Sequence, residues 1–119
     1  MKIHFREFKV YKDAKILVTH TFRLTRKFPR EFYYLSDQIN RSALSVVLNI
    51  AEGSAKGSDK DFNRYIKNSL GSATELSAAF EIAEDLGLIS ADEYKLLYAQ
   101  IQEVIKQLGG FSKYLQRMR

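Results

Sequence analysis

The chain has 119 residues, 45% hydrophobic, with 19 Lys+Arg against 14 Asp+Glu for a formal net charge of +5, a size and composition that suit a single domain over 1–119. It has no Cys, which excludes a disulfide framework, a thiol nucleophile and a cysteine metal site. No apolar run reaches the roughly 18 residues that span a bilayer, and MKIHFREFKVYKDAK lacks the apolar stretch of a secretory signal, so a cytoplasmic protein without membrane contact is expected.

The charge is unevenly placed. Residues 1–30 hold nine Lys/Arg against Glu7 and Asp13, a balance of +7; the other residues hold ten basic and twelve acidic groups, a balance of −2. A basic surface of this kind suits a polyanion, and equally a solvated helix face.

Apolar spacing predicts four amphipathic helices, at about 8–27, 31–53, 59–86 and 91–117. In the first, Tyr11, Ala14, Leu17, Val18, Thr21, Leu24, Thr25 and Phe28 recur on one face. At 100° per residue, Lys9, Lys12, Lys15, Arg23, Arg26 and Lys27 share a separate arc of about 120°. Phe28-Pro29 ends the helix, because proline disfavours α geometry in the residue before it. The second helix is apolar over much of its girth: Leu35, Ile39, Val46 and Ile50 form one row, and Leu44, Leu48 and Ala51 another. Such a helix needs more than one neighbour, whether from its own bundle or from another subunit.

Gly53-Ser-Ala-Lys-Gly57-Ser58 is expected as the central turn, with glycine in the left-handed conformation that closes helices. Ser58 or Asp59 caps the third helix. Gly71 within it suggests close approach of another backbone. Gly87 ends it, and Ser90-Ala-Asp-Glu93 has the form of a capping box for the fourth helix. There, Tyr94, Leu97, Tyr98, Ile101, Val104, Ile105, Leu108, Phe111 and Leu115 repeat with bundle periodicity, and Gly109-Gly110 is a candidate kink. Short connections make successive helices antiparallel, giving an all-α, up-down-up-down four-helix bundle.

A polar stripe recurs on two helices. Arg41, Ser45, Asn49 and Glu52 on the second match Arg64, Asn68, Ser72 and Glu75 on the third, in one spacing. Folding the helices antiparallel about residue 58 sets Arg41 opposite Glu75 and Glu52 opposite Arg64. A structural lock of two Arg–carboxylate bridges is therefore expected, with Asn49 and Asn68 between them, ahead of the alternative that the stripe lines a polar pocket.

Catalytic constellations are missing from the sequence. Its histidines are His4 and His20, with no Glu-x-x-His pair for a di-iron bundle, no phosphate-cradling glycine loop and no nucleophile elbow. No enzymatic activity, cofactor or metal is expected. His20 reads as a surface residue, and Tyr33-Tyr34 as the cover of a helix start or a stacking pair for bases.

The stretches FREFKVYKDA, FP-x-E-x-YYLSDQINRSALSVVLNIAEGS and FNRYIKNSLGSATEL resemble the four-helix-bundle family of 23S ribosomal RNA intervening-sequence proteins. The likeness spans nearly the whole chain. Asn40 stands where the family usually has a basic residue, Ala55-Lys56 replaces a common Gly-Arg, and Tyr11 replaces a frequent Trp. The resemblance implies a homopentamer. A similar pentameric bundle is the accessory protein of diversity-generating retroelements, which binds nucleic acid and a reverse transcriptase; that is a fold-level analogy. The function expected is thus a non-enzymatic accessory protein that binds RNA or DNA through Lys9, Lys12, Lys15, Arg23, Arg26, Lys27 and Arg30. The alternative is a scaffold ring that recruits a partner protein such as a reverse transcriptase.

Overall fold

A computed structural model describes residues 4–118; Lys2, counted above in the basic N-terminal segment, lies outside them. Four helices carry the fold: α1 (Lys9–Thr25), α2 (Tyr33–Ser54), α3 (Asp59–Asp85) and α4 (Ala91–Arg117), with single 3-10 turns at Phe5–Glu7 and Arg30–Phe32. Each helix neighbours the next and α1 closes against α4, so α1 and α3 lie on one diagonal of the bundle. Pairings between distant positions show antiparallel neighbours throughout: Thr25–Asn40 joins α1 to α2, Ser45–Ser72 joins α2 to α3, Asn63–Ser112 joins α3 to α4, and Asp13–Gln107 joins α1 to α4. The result is an up-down-up-down rod of 47 × 21 × 20 Å.

One buried row from each helix builds the core. Leu17 of α1, Ile39, Val46 and Ile50 of α2, Ile66, Leu76 and Phe80 of α3, and Leu97, Ile101 and Leu108 of α4 are all essentially inaccessible to solvent. Among the described residues, no helix is long and apolar enough to cross a membrane.

Helix ends follow local chemistry. Ser58 Oγ accepts from the Asp61 amide at 3.1 Å and starts α3. At α4 the Glu93 amide donates to Ser90 Oγ at 3.0 Å and the Ser90 amide donates to Glu93 Oε1 at 2.8 Å, so two first-turn donors are satisfied reciprocally. Gly87 adopts φ +75°; its amide donates to Glu84 O and the Leu88 amide to Ala83 O, both at 2.9 Å, the Schellman arrangement. Before Pro29, α1 stops at Thr25 and tightens into a turn in which the Phe28 amide donates to Thr25 O at 3.0 Å.

Three expectations are corrected. Gly53 is not a left-handed terminator: α2 continues through it to Ser54, and among the described residues only Gly87 has positive φ. Gly53 is buried against α3, where a Cβ would lie 2.6 Å from Tyr65 Cβ and 3.3 Å from Phe62 O. The absent side chain lets the two helices meet at their hairpin. At Gly71 no neighbouring backbone comes close, since a Cβ there would meet nothing within 4 Å. Finally, α4 runs helically through Gly109-Gly110.

The polar lock is a fourth correction: its register holds and its charges do not meet. Ser45 and Ser72 hydroxyls bond at 2.8 Å, Ser42 donates to Glu75 Oε1 at 2.9 Å, Gln38 also donates to Glu75, and Ser69 donates to Val46 O at 2.7 Å. Among the described residues neither Arg41–Glu75 nor Glu52–Arg64 forms an ion pair. Arg41 instead meets Asp37 at 3.1 Å and Arg64 meets Asp61 at 3.6 Å, each on its own helix. Both arginines are exposed, and in water a carboxylate on the same helical face is reached at less ordering cost than one on another helix. Asn49 turns back along α2 to Ser45 O at 2.8 Å, while Asn68 is exposed.

Candidate nucleic-acid interface

All seven basic residues singled out in the sequence are exposed: Lys9, Lys12, Lys15, Arg23, Arg26, Lys27 and Arg30. Six of them sit on α1 or the turn just after it, on the side turned from the core row of Val10, Ala14, Leu17, Thr21 and Leu24. Arg30 begins the 3-10 turn that follows. Their ion pairing divides them. Lys9 meets Asp13 at 2.7 Å and stands 3.9 Å from Glu103 of α4. The bond to Lys9, with a second from the Gln107 amide at 2.7 Å, holds the Asp13 carboxyl below its ordinary range. The other six cations have no carboxylate partner among the described residues.

This is an unfavourable arrangement for a helix left to itself. Lys12 stands near the N-terminus of α1, whose first turn holds no acidic residue, and cations there oppose the helix dipole by about 0.3–1 kcal/mol. Lys12–Lys15, Arg23–Arg26 and Arg23–Lys27 are like-charged pairs at helical spacing, each costing roughly 0.2–0.5 kcal/mol. An external polyanion would add attraction that offsets these terms.

Two concavities flank the bundle. One, of about 420 Å³ beside the α2–α3 hairpin, is floored by Phe8, Phe62 and Phe111. These rings pack on one another with centroids 5.1 to 6.3 Å apart and close that end of the core. Its cation, Lys56, lies over the Tyr65 ring at 5.0 Å. The other, about 560 Å³, is a groove between α1 and α4 that gathers Lys12, Lys15 and Arg23 with Ile16 and Thr19 of α1 and Leu96 of α4. His20 and Gln100 also line it and meet there, Nδ1 to Oε1 at 2.8 Å.

The contributions of α4 were not visible in the sequence. Nothing in the spacing says which residues of α4 face α1, so Leu96 and Gln100 carried no signal. His20 did carry one, since its helical angle falls just beyond the edge of the basic arc. Tyr33 and Tyr34 are exposed at the start of α2, so they do not act as a packed cover; Tyr34 is 87% accessible.

Residues 6–110 match the 23S rRNA-intervening sequence protein family. The chain belongs to that family. A solved structure similar to it is that of a protein of unknown function from the S23 ribosomal protein family of Bacteroides thetaiotaomicron VPI-5482. The two superpose with a TM-score of 0.83 at 23% identity, over 87% of this chain and 98% of the other. At that identity the likeness establishes the shared bundle. No curated protein matches the chain.

Proposed function

We propose that this intervening-sequence family member is a non-enzymatic accessory protein that binds RNA or DNA through the exposed basic side of α1. The observation that carries this reading is the set of five cations on one side of α1 and its following turn, Lys12, Lys15, Arg23, Arg26 and Lys27, exposed together with Arg30 and without a carboxylate partner among the described residues. Lys and Arg contacts to phosphates supply affinity that depends on salt and not on base sequence. Gel retardation of single- and double-stranded RNA and DNA at low salt tests it. The wild type is expected to shift the nucleic acid, and Lys12→Glu combined with Arg23→Glu to lose the shift while keeping the helical circular dichroism of the wild type. Absence of any shift by the wild type would favour the alternative, a scaffold that recruits a partner protein.

We further propose that the protomer assembles as a closed ring, as the family resemblance implies for a pentamer. Support comes from α2, where Leu44 and Leu48 remain 41% and 53% exposed after the bundle has formed. A ring repeats the basic side of α1 around an axis and turns weak phosphate contacts into avidity.

A further inference from the structure

We propose that the groove between α1 and α4 receives a base of a single-stranded polynucleotide, a site that rests on the polynucleotide reading of α1 and adds to it a contact with the base itself. The groove has a volume of about 560 Å³ and lies open to solvent between the two helices. Three kinds of side chain meet in it, and each suits a different part of one nucleotide.

Its apolar walls are Ile16 and Leu96, one from each helix, left 60% and 55% exposed. Two large aliphatic groups facing one concavity favour a flat apolar face, which a nucleobase freed from its stack offers. At the rim Lys12, Lys15 and Arg23 supply charge for the phosphates on either side.

The third element is the polar pair. Gln100 Oε1 only accepts, so at 2.8 Å the proton between it and His20 lies on Nδ1. The Nε2 side of the His20 ring and the Gln100 amide nitrogen, which has no hydrogen bond inside the chain among the described residues, are left to meet polar atoms of a base. Adenine sets an acceptor, N7, beside a donor, the N6 amino group. A duplex keeps its base faces stacked, and a bare sugar–phosphate chain would leave Ile16, Leu96 and Gln100 unused. A single strand uses all three kinds of side chain.

The test is fluorescence anisotropy of the full chain with three labelled probes: a short single-stranded oligodeoxyadenylate, an abasic oligomer of the same length, and a duplex. The wild type is expected to bind the strand with bases on the order of tenfold more tightly than the abasic one. Ile16→Ala with Leu96→Ala, and separately His20→Ala with Gln100→Ala, should bring that ratio toward one while leaving abasic binding unchanged. The comparison of probes on the wild type reads the site even if a variant fails to fold. Equal binding of abasic and base-bearing strands, or tighter binding of the duplex, would overturn the base site and leave the phosphate-binding reading of α1 standing. Failure to bind any of the three probes would remove both.

Discussion

Gly53 joins α2 to α3 through what it lacks. An added Cβ would lie 2.6 Å from Tyr65 Cβ, with Phe62 O at 3.3 Å behind it; neither is the free end of a flexible side chain, so the helices would have to separate. Overpacking of this kind costs about 1–3 kcal/mol, against a gain of up to about 1 kcal/mol from better helix propensity. Gly53→Ala should therefore lower the thermal midpoint, whereas Gly110→Ala, in open space on an exposed face of α4, should raise it. A melt in which both substitutions raise the midpoint would show that the hairpin is not tightly closed at Gly53. The sequence marks Gly53 as special without saying why, because glycine serves both to end a helix and to admit a neighbour. Ser58, Gly87 and the Ser90–Glu93 box were legible because their chemistry is completed within a few residues along the chain.

At the scale of helices, what could be read was whatever depends on one helix at a time. The arc of cations on α1 follows from periodicity alone and is exposed as expected. The register of α2 against α3 was legible as well, because a short hairpin fixes which positions face each other. The partner each charged side chain takes was not, since Arg41 and Arg64 reach carboxylates on their own helices. The same local pairing sets Lys9 apart within the arc. Its ammonium is already neutralised by Asp13 at 2.7 Å, while Lys12, one turn on, has no such partner among the described residues. Lys9→Gln should weaken nucleic-acid binding by less than Lys12→Gln, measured as dissociation constants at one salt concentration. Equal losses would mean that the Lys9–Asp13 bridge opens on binding. The groove beneath the arc could not be read, because a contact between α1 and α4 joins residues about 80 positions apart with no repeated pattern to align them.

The whole molecule combines a basic side on α1 with apolar residues left exposed on α2. In the proposed ring a second copy of the chain would cover the exposed Leu44 and Leu48. Multi-angle light scattering should give a closed oligomer, most simply a pentamer, and Leu44→Glu with Leu48→Glu should reduce it to smaller species. A stable wild-type monomer at micromolar concentration would contradict the ring. An apolar row left exposed by one bundle does not say how many copies would cover it, so the number five comes from the family resemblance and not from the residues. The nucleic-acid binding proposed for α1 runs through its cations. The most direct test is the slope of log affinity against log salt for single-stranded RNA, compared between the wild type and Lys12→Gln with Arg23→Gln. Each phosphate contact contributes about 0.7 to that slope for single strands. The wild type should show a steep decline of affinity with salt, and the double variant a slope shallower by about 1.4. A wild-type affinity that does not change with salt, or slopes identical in the two proteins, would contradict it.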